Sequence, residues 1–196
     1  MKTRILSFLV MMLLGSLMQT SEAQAPAAPV KPALLVIDIQ NAFLSMIPEA
    51  DKAKAMANIS YYMSVFRQHG YPVILVYHHG EEYGVKPGTE LFEFPESVPI
   101  RPEDPKVIKT YPDAFNKTDL DKVLKEHGCN TLFLTGLSAV GCVLATYVGS
   151  MNNDYRAFLV KDAIMSHNSE YTQNIEIMFE AVGSEVVKMV LETSGK

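Results

Sequence analysis

The chain has 196 residues, 48% of them hydrophobic, and a net charge of −5 from 17 basic and 22 acidic side chains. No stretch concentrates Lys and Arg, so the composition argues against nucleic acid as a partner. Residues 1–25 are a predicted leader. The remaining segment, 26–196, also has more acidic than basic side chains. Its length suits one domain with a sizeable core.

The segment 1–25 is predicted to be a secretory signal peptide and not part of the fold. Residues 1–4 are positively charged, an apolar run follows over 5–18, and Ala23 and Ala25 form an A-x-A cleavage pattern. A membrane anchor is the alternative, but this run is short for a span of about 20 residues. We therefore expect cleavage after Ala25, export to the periplasm or the exterior, and no membrane association afterwards.

The remaining chain is predicted to contain a Pro/Ala linker, residues 26–32, and one domain, residues 33–196. Apolar runs typical of buried strands alternate with amphipathic helical segments. Strands are predicted over 33–38, 71–78, 106–110, 131–136, 156–163 and 184–189. Helices are predicted over 49–70, 118–128, 141–153 and 169–182, and a long loop over 79–105. This alternation predicts a doubly wound α/β domain, with a parallel sheet covered by helices on both faces.

Ligands of such sheets bind beyond the carboxyl ends of the strands. The reactive side chains predicted there are Asp38, Lys109, Cys142 and Asp162. Cys142 is the most informative, because it follows a glycine at the predicted start of a helix. Free N–H groups and the positive end of the helix dipole favour a thiolate at such a position. We therefore expect a lowered pKa for Cys142, with Lys109 as a nearby cation, whereas an inert cysteine would lie within an element.

Two other roles for these side chains are less favoured by the sequence. Cys129, the only possible disulfide partner of Cys142, lies at the far end of the fourth strand, about 20 Å away, which is beyond the reach of a disulfide. The adjacent His78 and His79 point to opposite faces of extended backbone, so a shared metal ion is not expected. No dinucleotide or P-loop motif is present, and we predict no cofactor.

Four stretches in this order resemble the isochorismatase-like cysteine hydrolases over residues 33–190. They are ALLVIDIQNAF (33–43), VIKTYPDAFNKTDLDKVL (107–124), LFLTGLSAVGCVLAT (132–146) and DYRAFLVKDAI (154–164). The resemblance implies a six-stranded parallel sheet of order 3-2-1-4-5-6 and a catalytic triad of Asp38, Lys109 and Cys142.

The same resemblance implies a mechanism. Asp38 accepts the thiol proton, Lys109 favours both anions, and Cys142 attacks a carbonyl carbon. Backbone N–H groups of Cys142 and Ser138 hold the oxyanion, and the peptide bond Leu137–Ser138 is cis. Water then releases a thioester. The predicted function is hydrolysis of a small amide, and the alternative is a small-molecule binding module without turnover.

Two branches of the family fit the sequence less well. The nicotinamidase branch carries an Asp/His metal site after the second strand, which residues 77–92 lack. The isochorismate-cleaving branch works without the cysteine, so Cys142 favours thiol-dependent hydrolysis. The loop 79–105 is expected to set the substrate. Further pocket residues are predicted to be Gln40, Phe43, His78, His79, Tyr111, Phe115 and His167.

The chain is expected to form a homo-oligomer. Residues 147–151 and the helix near 170–182 carry more apolar side chains than one buried face needs. A homo-oligomer, either a dimer or a tetramer, would cover them. A wide core-facing stripe is the alternative explanation of the same pattern.

Overall fold

A computed structural model describes residues 29–194, so the predicted signal peptide lies outside the described residues. The strands are β1 (Pro32–Ile37), β2 (Val73–His78), β3 (Lys106–Lys109), β4 (Thr131–Leu137) and β5 (Arg156–Met165). The helices are α1 (Asn41–Leu44), α2 (Glu49–Gln68), α3 (Leu120–Glu126), α4 (Leu144–Asn152), α5 (Ser169–Met178) and α6 (Ser184–Thr193). Within this part of the chain, no helix combines the length and apolarity needed to cross a bilayer.

The five strands form one parallel sheet of order β3-β2-β1-β4-β5. The chain therefore enters the sheet at its central strand, β1, and adds β2 and β3 on one side. It then returns to the other side of β1, where it adds β4 and β5. This confirms the predicted doubly wound fold. The strand order reverses between β1 and β4, and the carboxyl ends of β1, β2 and β3 lie side by side at one edge of the sheet.

Both faces of the sheet are buried under helices, as the continuous apolar runs predicted. Leu34 and Val36 of β1 pack in a core with α2 and α6, whereas Leu35 and Ile37 pack in a second core with α3 and α5. The predicted apolar side of α2 is confirmed: Ala55, Ile59, Tyr62, Met63 and Phe66 are all buried.

The predicted sixth strand is wrong. Residues 184–193 form α6. Within the described residues 29–194, a single parallel bridge between Val160 and Val182 extends the sheet past β5. Val187 and Leu191, four positions apart, are buried against the sheet, which is the spacing of a helix face and not of a strand. A short apolar run of this kind can form either a strand or a helix. Here the packing of Val187 and Leu191 stabilises the helix.

The loop 79–105 is confirmed, with one short 3-10 turn at Glu81–Tyr83. Phe92 and Phe94 are buried and stack on Tyr77, with ring centroids 5.1 and 4.1 Å away. Backbone carbonyls of the loop also accept hydrogen bonds from the first two N–H groups of α1. The loop is therefore anchored against the segment that follows β1.

Gly136 marks a close approach of β4 to β1. It has a φ of +107°, and a Cβ built there would lie 2.0 Å from the carbonyl oxygen of Ile37. We expect Gly136→Ala to lower the free energy of unfolding by about 2–5 kcal/mol, because it adds backbone strain to an overlap with the neighbouring strand. Urea unfolding measures this loss.

Gly88→Ala is the matched control. Gly88 also has a positive φ, +85°, but no atom of the described part of the chain lies within 4 Å of a Cβ built there. Its loss should be about 1 kcal/mol, from the backbone conformation alone. Equal losses in the two variants would contradict the close approach of β4 to β1.

Candidate active site

Four reactive side chains meet at the carboxyl edge of the sheet. Asp38 follows β1, His78 ends β2, Lys109 ends β3, and Cys142 lies in the turn Ala139–Val143 between β4 and α4, which is kinked at Gly141. Lys109 Nζ lies 2.7 Å from Asp38 Oδ2 and 3.3 Å from His78 Nδ1. Potential ligand atoms of Asp38, His78 and Cys142 all lie within 4.8 Å of one another. Lys109 thus reaches across β2, a contact that the sequence alone could not establish.

The Asp38–Lys109 ion pair is buried. The side chain of Lys109 is 0% exposed and that of Asp38 is 3% exposed. Burial raises the pKa of the Asp38 carboxyl above its ordinary 3.8, and the charge of Lys109 opposes this shift. Asp38 Oδ1 has no hydrogen-bond partner among residues 29–194. A carboxylate with a raised pKa and an unused oxygen is suited to accept a proton.

The expected low pKa of Cys142 is wrong. Burial, and next the negative charge of Asp38, raise the pKa of this thiol to about 12 against the opposing charge of Lys109. The thiol is desolvated beside a carboxylate, and these effects outweigh its position before α4. Cys142 is therefore a neutral thiol at pH 7, and its attack requires a base to remove the proton.

The turn that carries Cys142 is built on Ser138. The Ser138 carbonyl accepts hydrogen bonds from the N–H groups of Gly141, at 2.8 Å, and Val143, at 3.2 Å. The peptide bond Leu137–Ser138 is cis. Ser138 Oγ is buried without a hydrogen-bond partner in the described part of the chain. Ser138 and Cys142, the two residues expected to supply oxyanion donors, thus belong to one short turn.

His78 has a larger part in the site than its predicted place in the pocket. The carboxamide of Gln40 receives a 2.7 Å hydrogen bond from the His78 N–H and donates one of 2.9 Å to the His78 carbonyl. The Phe43 ring meets the imidazole edge-on, with centroids 5.9 Å apart. Gln40 is fully buried, so it holds His78 in place and does not line a pocket.

The imidazole of His78 is neutral at pH 7. Burial and the charge of Lys109 lower the pKa of His78 below its ordinary 6.5. An ammonium group has no lone pair to offer, so His78 Nδ1 accepts from Lys109 and the ring proton is assigned to Nε2 on this geometry.

The other predicted pocket residues make their described contacts outside this cluster. The contacts are Tyr111 OH with Lys117 Nζ at 3.1 Å, and ring pairs of Phe115 with Tyr155 and His167 with Tyr171, each at 5.5 Å. The His79 side chain points toward Glu81, with 4.0 Å between Nε2 and Oε1. Its backbone N–H donates to the Lys109 carbonyl at 2.8 Å.

Asp162 does not join the site. It lies in an irregular part of β5 with a φ of +61°. Its side chain pairs with Lys54, its carbonyl accepts from Asn58 at 2.9 Å, and its N–H donates to Glu176 at 2.7 Å. β5 continues past this irregularity to Met165, so Asp162 braces the strand to α2 and α5.

A carboxylate, an imidazole and a thiol this close together could in principle bind a metal ion, a possibility that the sequence did not reveal. Lys109 Nζ, however, is already within hydrogen-bond distance of Asp38 and His78. A metal ion at the same position would lie against a positive charge, which is strongly unfavourable in a buried site. The donors therefore fit an ammonium group better than a metal.

Comparisons with known proteins show the family to which the chain belongs. The isochorismatase domain model matches residues 32–189. The isochorismatase family protein YddQ of Bacillus subtilis is 34% identical over 136 residues, which cover 67% of this chain and 76% of that protein. Maleamate amidohydrolase of Pseudomonas putida is 30% identical over 83 residues, 42% of this chain and 39% of that protein.

The fold is shared with solved structures. N-carbamoylsarcosine amidase from Thermoplasma acidophilum superposes with a TM-score of 0.66 at 24% identity, over 79% of this chain and 95% of that chain. The family match spans nearly every described residue and includes all five strands. The resemblance noted in the sequence is therefore confirmed, and the chain belongs to the isochorismatase family of hydrolases.

Proposed function

We propose that the protein hydrolyses a small amide through a thioester on Cys142. The observation that carries this proposal is the convergence of a neutral thiol, a carboxylate with an unused oxygen and a buried ammonium group. Each of these groups has a defined role in acyl transfer.

The proposed reaction proceeds in two halves. As Cys142 Sγ attacks the amide carbon, the thiol proton moves to Asp38 and the carbonyl oxygen becomes an oxyanion. Backbone N–H groups of Ser138 and Cys142 stabilise that oxyanion. The C–N bond then breaks, and Asp38 returns the proton to the leaving nitrogen. In the second half, water attacks the thioester and gives a proton to Asp38, which returns it to the departing sulfur as the carboxylic acid leaves.

Lys109 favours this chemistry in two ways. Its positive charge stabilises the Asp38 carboxylate and lowers the energy of the Cys142 thiolate as it forms. Because the pair is shielded from water, these electrostatic effects are stronger than they would be at a surface.

An amide is the favoured substrate class for two reasons. Relatives of this chain include proteins named as an amidohydrolase and an amidase. In addition, Asp38 can pass the thiol proton directly to a leaving nitrogen, which needs protonation to depart. We assign the substrate-facing wall to the loop 79–105, because it is hydrogen-bonded to the segment 41–42 next to Phe43.

Export and self-association remain predictions. Apolar side chains on α4 and α5 are exposed, which supports an oligomer. They are Val148 (42% exposed), Met151 (49%), Ile177 (76%) and Met178 (72%).

A panel of small primary amides, N-substituted amides and esters tests the proposed function. We expect the mature protein to release ammonia or an amine from one group of amides. Rapid quenching followed by mass spectrometry of the peptide that contains Cys142 should show the mass of the bound acyl group. Ligand binding without product release or acylation would instead establish the alternative, a binding module that lacks turnover.

A further inference from the structure

We infer that His78 is a positioning residue of this site, which orients the Lys109 ammonium group by accepting a hydrogen bond at Nδ1. The inference rests on the proposed function, because it assigns His78 a part in preparing Cys142 and Asp38 for the reaction. The observation behind it is the 3.3 Å distance between His78 Nδ1 and Lys109 Nζ.

The buried ammonium group needs this acceptor. Lys109 carries three N–H donors and its side chain has no exposure to water. Asp38 Oδ2 accepts one hydrogen bond at 2.7 Å. His78 Nδ1, at 3.3 Å, is a second acceptor for this group. Without it a charged donor would be left unsatisfied in the interior, which is costly.

The position of His78 is fixed from several sides. Its backbone is held by both ends of the Gln40 carboxamide, and its ring is held by the edge contact with Phe43. His78 is also the residue paired with Lys109 in the β2–β3 ladder. The order β3-β2-β1 places His78 between Lys109 and Asp38, so the imidazole lies beside the path along which the lysine reaches its partner.

The acceptor role requires a neutral ring. The titratable groups near His78 are Lys109 from β3, Asp38 after β1, Cys142 from the turn before α4, and His79, its neighbour in the chain. Lys109 and His79 favour the neutral ring and Asp38 favours the charged one, while Cys142 is uncharged at pH 7. Protonation would remove the Nδ1 lone pair and place a second positive charge 3.3 Å from Lys109 Nζ.

Two substitutions separate positioning from packing. His78→Leu keeps an apolar volume but removes the acceptor, whereas His78→Asn places a carbonyl oxygen near the position of Nδ1. We expect His78→Leu to lower kcat by about 10- to 100-fold, the value of one hydrogen bond to a charged group. His78→Asn should recover most of that loss, and KM should change little in either variant.

His127→Asn is the control for histidine replacement itself, because His127 is exposed at the end of α3. Equal losses of kcat in the Leu and Asn variants, with folding intact by circular dichroism, would overturn the assignment.

A second measurement does not need turnover. In protein labelled with ¹⁵N-histidine, NMR titration follows the protonation of His78 directly. We expect the pKa of His78 to rise in Lys109→Met, because the substitution removes a neighbouring positive charge and leaves the Asp38 carboxylate. An unchanged pKa would refute the contact between His78 and Lys109. If the amide panel gave no product but this shift appeared, the proposed function would be wrong and the positioning contact would stand.

Discussion

Cys142→Ser should lower kcat/KM for the amide substrate by about 10⁴-fold or more. Losses of this size are typical when an enzyme that uses covalent catalysis loses its nucleophile. A hydroxyl holds its proton more tightly than a thiol does, and the Asp38 carboxylate is too weak a base to remove it. The serine variant should also fail to accumulate an acyl-enzyme. Initial rates of ammonia release and intact-protein mass spectrometry measure both effects.

Cys129→Ala provides the matched control. Cys129 is the second free cysteine among the described residues and is buried before β4, at the opposite edge of the sheet from Asp38. Its removal should leave kcat/KM unchanged and lower stability slightly. If Cys142→Ser retained more than about 1% of the activity, the thioester mechanism would be excluded, since loss of the nucleophile should cost far more.

Breaking the Asp38–Lys109 pair should have the largest effect on stability. Asp38→Asn and Lys109→Met should each lower the free energy of unfolding by about 3–5 kcal/mol at pH 7, because each leaves one buried charge uncompensated. Both variants should also lose turnover, one for lack of the proton acceptor and the other for lack of the charge that stabilises the anions. Urea unfolding and the amide assay measure these effects separately.

The double variant separates folding from chemistry. Asp38→Asn with Lys109→Met buries no net charge, so it should recover most of the lost stability and none of the activity. The rate at which iodoacetamide alkylates Cys142 is an independent measure of how the two charges act on the thiol. Asp38 raises and Lys109 lowers the pKa of the thiol, so at pH 8 alkylation should be faster in Asp38→Asn and slower in Lys109→Met. Stability losses that simply add in the double variant would show that the two groups do not form a pair.

Much of the fold followed from local sequence pattern. The apolar run 33–37 predicted a strand buried on both faces, because a strand with one face in water alternates apolar and polar residues. This is confirmed, since β1 is buried at every residue. The apolar side of α2 followed from its helical spacing, and the alternation of strands with helices implied a parallel sheet. Cys142 stood out because it follows a glycine just after a buried strand. These features depend on neighbouring residues alone.

Tertiary structure decided what depends on distant residues. Residues 184–193 became a helix because Val187 and Leu191 pack against the sheet together, and an apolar run of that length fits either element. The high pKa of Cys142 arises from burial and from Asp38, which lies far away in the chain. The central place of His78 requires β2 to lie between β3 and β1. Local patterns determine which residues are apolar or reactive, but desolvation and charge proximity exist only once the strands are side by side.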